Sequence, residues 1–241
     1  MNTYQDVFQR YEKKYLVTPE QYEYLSKILE ARMVPDRFAQ STIGNIYYDT
    51  PDFRLIRRSL DRPAYKEKLR LRTYRTPDAR TEAFVEIKKK FDHIVYKRRI
   101  AMPYAQAVDY LAGGPAPEAS QIAREIEWFR EFYEGLQPAM CICYDRYAMF
   151  DRNQPALRIT FDSGIRWRDQ ALDLARGLDG QPVLDDGLRL MEIKIPGATP
   201  LWLARALSEA GIFPTHFSKY GRAYQIMLRG EAAPKGGVFC A

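Results

Sequence analysis

Apolar and charged residues alternate with a period of two through much of the chain. Lys68-Leu69-Arg70-Leu71-Arg72 sets its cations on one side of a strand and its leucines on the other, because successive strand residues point to opposite faces. Phe84-Val85-Glu86-Ile87-Lys88 sets Glu86 and Lys88 against Val85 and Ile87. Arg158-Ile159-Thr160-Phe161-Asp162 and Met191-Glu192-Ile193-Lys194-Ile195 repeat the arrangement. Arg10, Glu12 and Lys14 share a face, as do Lys97 with Arg99 and Tyr144 with Arg146.

The pattern predicts strands over 11–17, 43–49, 65–74, 83–89, 94–100, 139–150, 157–162 and 188–195. A helix is expected from Pro19 to about Met33, with Thr18 as N-cap and Pro19 in the first helical position. Further helices are expected over 104–111, 119–134, 201–210 and 216–228, with a short helical turn running to Arg58. Thr76-Pro77-Asp78 and Phe91-Asp92-His93 read as hairpin-like connections. In the helix over 119–134, Ile122, Ile126, Phe129 and Tyr133 fall at helical spacing, the mark of a packing stripe. No strong linker appears, so the chain reads as a single domain, 1–241, with its core over about 10–228 and a frayed tail over 229–241.

Composition narrows the partner. The 241 residues carry a formal net charge of +6, with 46% hydrophobic residues, enough for a core and too many for disorder. A basic balance suits an anionic partner. Cys141, Cys143 and Cys240 give no disulfide framework, which fits a reducing cytoplasm. The first ten residues hold no apolar signal core, and no apolar run reaches membrane-spanning length. The expected location is therefore cytoplasmic, with peripheral attachment to the inner face of a membrane as the alternative. There is no P-loop and no Gly-x-Gly-x-x-Gly fingerprint. His216, just before Phe217-Ser218-Lys219, reads as a surface or helix-start residue rather than a base.

Two readings of the charged strand faces stand at this point. A half-buried sheet shows polar residues to water on its other face. Alternatively, the sheet closes with the charges inside, forming a water-filled tunnel with no exposed edge. The second reading accounts for Arg and Lys at mid-strand, where charged residues are disfavoured. It also accounts for the carboxylates recurring beside them at Glu12, Glu86 and Glu192. Confined cations need a polyanion, and Arg and Lys at several depths suit linked phosphates. Carboxylates repel phosphate unless a hard divalent cation binds both. The inner face thus suggests metal-assisted phosphoryl transfer.

Several short motifs, in order, carry a family resemblance: Tyr11-Glu12-Lys13-Lys14-Tyr15, Ile46-Tyr47-Tyr48-Asp49-Thr50, Leu69-Arg70-Leu71-Arg72, Phe84-Val85-Glu86-Ile87-Lys88, Tyr144-Asp145-Arg146, Leu157-Arg158-Ile159-Thr160-Phe161-Asp162, Glu192-Ile193-Lys194 and Phe217-Ser218-Lys219-Tyr220. Over roughly 10–228 the chain resembles the VTC domain, the polyphosphate polymerase branch of the triphosphate tunnel metalloenzymes, which also include the CYTH-type hydrolases. The resemblance implies an α+β fold, a closed antiparallel β-barrel with helices packed outside. It implies a polymerase that moves the terminal phosphate of ATP onto polyphosphate, with Mn²⁺ or Mg²⁺. The alternatives are a triphosphatase of the same fold and a non-catalytic polyphosphate-binding module. By the same resemblance, Lys14, Arg70, Arg72, Lys88, Lys97, Arg146, Arg158 and Lys219 hold phosphate. Tyr144 and Ser218 support them as donors, and Arg99, Lys194, Lys68 and Arg10 are secondary candidates. Glu192 is the implied metal ligand, with Glu12 and Glu86 in water-mediated contact. Hydrolytic relatives resemble Glu-x-Glu-x-Lys on the first strand. Here Arg10 replaces the first glutamate, which favours transfer to a phosphate acceptor over transfer to water. ATP and polyphosphate are the expected partners, with a membrane protein as a further one. Nucleic acid is not expected, since no aromatic platform interleaves the cations.

Overall fold

A computed structural model of the chain describes residues 11–92 and 94–230. Its strands are β1 (Tyr11–Val17), β2 (Met33–Asp49), β3 (Tyr65–Thr73), β4 (Glu82–Phe91), β5 (Ile94–Pro103), β6 (Gln137–Asp151), β7 (Arg158–Arg168), β8 (Gln181–Pro182) and β9 (Arg189–Ile195). They form one antiparallel sheet in the order β1-β9-β7-β6-β2-β3-β4-β5, with β8 beside β7. The helices are α1 (Pro19–Glu30), α2 (Arg54–Leu60), α3 (Tyr104–Leu111), α4 (Gln121–Phe132), α5 (Leu201–Glu209) and α6 (Lys219–Arg229). The expected α+β class therefore forms. Arg10, His93, Cys240 and the tail from 231 lie outside the described residues.

Local chemistry explains where two of the helices begin. Thr18 caps α1 as expected: its hydroxyl accepts from the Gln21 amide, and the Gln21 side chain accepts from the Thr18 amide. That capping box satisfies two amides that the first helical turn would leave open. Ser218, itself extended, caps α6 by accepting from the Gly221 amide, so α6 begins at Lys219 rather than at His216.

Two strands run well beyond their predicted ends, β2 and β7. β2 begins at Met33, where the first helix was expected to end. Its opening residues pair with the far end of β6, Met33 opposite Asp151, and the register shifts between Pro35 and Gln40. Proline and the adjacent charges hide this stretch from a test of alternation; tertiary pairing makes it a strand. β7 continues to Arg168 across Gly164, whose φ of +53° suits glycine. The pairing with β6 shifts register there. One extra residue in a bulge reverses which side chains face which way. Ile165 and Trp167 thereby join the face that Thr160 and Asp162 occupy before the bulge.

The apolar sheet face packs under helices. Leu69, Leu71, Val85 and Ile87 meet α3 and α4 through Tyr110, Ile126 and Phe129. Cys141 and Cys143 lie buried in the same cluster, as small hydrophobes. Tyr15, Val17, Ile159 and Ile193 meet α1 and α5 through Leu25, Leu29, Leu203 and Leu207. Burying each large apolar side chain stabilises the fold by about 1.5–3 kcal/mol.

Two expectations are corrected here. The barrel is not closed: among the described residues, β1 and β5 are sheet edges that do not pair with each other. The sheet nonetheless curls until its ends approach. Glu12 on β1 comes within 4.0 Å of Lys88 on β4, although β9, β7, β6, β2 and β3 lie between those strands. The chain before α6 fills part of the gap. The Thr215 amide donates to the Lys14 carbonyl, the Lys14 ammonium to the Phe217 carbonyl, and the Lys68 ammonium to the Ser218 hydroxyl. This segment covers the free edge of β1 and replaces strand-to-strand closure. Nor do all helices pack outside. Tyr220, Ala223, Tyr224 and Ile226 of α6 pack against Ile43, Tyr47, Met140 and Ile142, with Ile56 of α2. Tyr220 stacks on Tyr47 at 4.7 Å, and Tyr47 lies on the face that carries the cations. α6 thus fills one part of the concave face and leaves the charged part beside its N-terminus.

Candidate functional site

The concave face gathers nearly all the side chains singled out by alternation. β3 contributes Lys68, Arg70 and Arg72; β4, Glu86 and Lys88; β5, Lys97 and Arg99. β6 contributes Tyr144 and Arg146, β9 Glu192 and Lys194, β1 Glu12 and Lys14, and α6 Lys219. Ion pairs or hydrogen bonds link these groups across strands that are not neighbours. The inward reading of the charges is the one the fold adopts.

Three buried carboxylates organise the cations differently. Glu86 is clamped, with Arg70 and Lys97 each at 2.6 Å and Arg72 at 3.7 Å. Asp162 is clamped too: Arg146 grips it through two hydrogen bonds of 2.6 and 2.8 Å, and the Lys219 ammonium lies 2.6 Å away. Glu192 is held loosely. Lys194, Lys219, Lys14 and Arg146 surround it at 3.4, 3.5, 3.7 and 3.7 Å. Burial works against its charge, yet Lys219, Lys194, Lys14 and Arg146 hold its carboxyl well below the usual range. Glu12 is similarly loose, 3.8 Å from Lys14 and 4.0 Å from Lys88. Burial and the nearby Glu192 work against the charge of Glu12, yet Lys88, Lys14 and Lys194 hold its carboxyl below the ordinary value.

The neutral groups fit around this frame. Arg72 donates to Asn45 and to the Tyr144 hydroxyl, and Arg70 donates to the Tyr47 hydroxyl. The Lys219 ammonium sits 4.5 Å from the centre of the Tyr144 ring. Burial raises the Tyr144 phenol, but Arg72, Arg146 and Lys219 together bring it below its ordinary value.

The lysines divide by partner. Lys219, with Glu192 and Asp162 beside it, is raised despite burial. Lys68 has no carboxylate partner among the described residues: burial, with Lys14, Lys88, Lys66 and Arg70 nearby, lowers it to about 7. Burial lowers Lys88 to about 8 in spite of Glu12, and Lys97 to about 7 in spite of Glu86.

Some candidates lie at the margin. Arg158 is half exposed and faces Asp36 at 3.7 Å, away from the central carboxylates. Ser218 is committed as the cap of α6 and the acceptor of Lys68, though its own hydroxyl proton stays available. His216 is exposed. Sequence reasoning passed over Asn45 and Tyr47, which orient arginines, and gave no role to Thr160. The Thr160 hydroxyl is buried without a hydrogen-bond partner among the described residues, and Thr160 pairs across strands with Glu192. Alternation alone placed Thr160 on this face; only the packing reveals its unmet hydrogen-bonding capacity.

Comparisons with known proteins bear on this arrangement. A family model described as the VTC domain matches residues 9–228. Among solved structures, a candidate adenylate cyclase from Bacillus halodurans superposes with a TM-score of 0.55 at 13% identity, over 89% of this chain and 96% of that one. A candidate adenylyl cyclase from Hippeastrum, described as having a dominant triphosphatase activity, gives 0.51 at 16%, over 92% and 97%. A candidate adenylate cyclase from Vibrio parahaemolyticus gives 0.50 at 15%, over 91% and 99%. At such identities the likeness is one of fold. A search of curated protein sequences gives no significant match.

Proposed function

The chain belongs to the VTC-domain family, and from that footing we propose that it transfers the terminal phosphate of ATP to a growing polyphosphate chain inside the basic concave face. The observation that carries this reading is the unequal hold on the carboxylates. Glu86 and Asp162 are locked to their cations and act as scaffold. Glu192 and Glu12 are not.

Among the described residues, no group of three or more His, Cys, Asp and Glu side chains is placed to hold a metal by itself. A hard divalent cation such as Mg²⁺ binds through one or two carboxylates and completes its shell with water and substrate phosphate. Glu192 with Glu12 matches that donor set, whereas Glu86 is already taken by Arg70 and Lys97. When bound, the cation would neutralise charge on phosphate oxygens.

The protein's own groups supply the rest. Arg70, Arg72 and Arg146 are fixed by hydrogen bonds to Glu86, Asn45 and Asp162, so little reorganisation accompanies phosphate binding. Lys14, Lys88, Lys97 and Lys194 add charge along the path of a linear polyanion. Phosphoryl transfer depends mainly on such positioning and charge neutralisation. A chain of phosphates laid along these cations would bring the acceptor end into line with the terminal phosphate of ATP. No described helix is long and apolar enough to cross a membrane.

Incubation with ATP and Mn²⁺ is expected to yield polymer on a polyphosphate-staining gel. Orthophosphate without polymer would favour the triphosphatase reading, and binding without turnover would favour the binding module.

A further inference from the structure

Beyond the phosphate-facing cations, the concave face ends in an aromatic ledge. Phe84 shares the inner side of β4 with Glu86 and lies directly across from Arg72 on β3. The Arg99 guanidinium lies over the Phe84 ring at 4.4 Å. The Tyr74 ring, one residue past the end of β3, meets Phe84 edge-on at 5.7 Å and 83°. Phe84 is buried, while Tyr74 is 41% exposed and the Arg99 side chain is 38% exposed. Arg99 also reaches Glu86 at 4.0 Å, so the ledge adjoins the phosphate cations.

We propose that the Tyr74–Phe84–Arg99 ledge is a nucleobase subsite, which binds the flat end of a nucleoside triphosphate whose phosphates lie on the cations deeper in. The proposal rests on the triphosphate reading above and adds what distinguishes ATP from inorganic triphosphate. A buried ring supports a guanidinium plane, and an exposed ring stands beside it. Bases stack on aromatic faces and on Arg planes alike, whatever their sequence. The side chains of Tyr74, Phe84 and Arg99 carry no carboxylate or amide to read a base edge, so the ledge selects for a base over none rather than for one base over another. A groove on the outer face, about 560 Å³ between α4 and the β4–β5 hairpin, is less apt. Its Lys89 and Arg98 are already drawn to Glu125.

Equilibrium binding of ATP and of tripolyphosphate to the full chain tests this. Tyr74→Ala is expected to weaken ATP about tenfold, within the range for losing one stacking partner, and to leave tripolyphosphate unchanged. Tyr74→Trp restores ATP binding, and Trp128→Ala, an exposed aromatic on α4, affects neither ligand. Equal effects of Tyr74→Ala on both ligands, or none on ATP, would overturn the ledge alone. Failure of the unaltered chain to bind either ligand would overturn the triphosphate reading itself.

Discussion

Glu192→Gln is expected to lower metal-dependent turnover about 10²–10³-fold, the usual cost of losing one group that stabilises charge in a transition state. The side chain keeps its size and loses only its charge. Four cations surround Glu192 at 3.4–3.7 Å without a close bond, so the frame made by Glu86 and Asp162 stays in place. Removing a negative charge from a basic cavity should also preserve or strengthen metal-free binding of tripolyphosphate. The gain in ATP affinity that Mn²⁺ confers should vanish. Paired kinetics and binding, with and without Mn²⁺, check this. Full turnover in the variant would remove Glu192 from the site.

Asp162→Asn is expected to act on stability first. Asp162 is fully buried and is the close partner of both Arg146 and Lys219. Deleting one member of a buried ion pair leaves its partners uncompensated and costs about 3–5 kcal/mol. Urea unfolding should show that loss in the empty protein. Polyphosphate should recover part of it, because a ligand bound only by the folded state stabilises by about 2.7 kcal/mol at a hundred times its dissociation constant. A midpoint unchanged in the empty protein would mean that Asp162 is not the anchor of these cations.

Much of this site was legible because a strand reports its faces directly. Arg70 and Arg72, Glu86 and Lys88, and Glu192 and Lys194 alternate with apolar neighbours that lie in the core. What alternation cannot give is the hold on each charge. Glu86 and Glu192 have the same Glu-x-Lys setting in sequence, yet one is clamped at 2.6 Å and the other is not. That difference comes from what lies beside each glutamate: β3 and β5 bring Arg70 and Lys97 onto Glu86, whereas the cations around Glu192 come mostly from β1, β6 and α6. Closure was also illegible. Whether β1 meets β5 depends on the segment from Thr215 to Ser218, which the helical pattern claims in part; it lies ahead of the helix and is bonded to Lys14 and Lys68. The inward position of α6 escaped for a related reason. Its Tyr220, Ala223 and Tyr224 look like any apolar stripe, and nothing in the stripe says which sheet face receives it.

The central claim is that these cations are confined together and await a polyanion, and proton uptake on binding tests it most directly. In the empty protein Lys68 and Lys97 titrate at about 7 and Lys88 at about 8. Near pH 8 a large share of these amines is therefore neutral. A bound polyanion favours their charged forms and raises their affinity for protons, so binding draws protons in and tightens as pH falls. Long-chain polyphosphate suits the measurement, since its internal phosphates stay fully ionised. Calorimetric titration at pH 8 in two buffers of different ionisation heat should show net proton uptake, reduced to the share that Lys88 supplies when Lys68 and Lys97 are both changed to Met. Binding without proton uptake would mean ordinary solvated lysines, and would contradict a confined basic site.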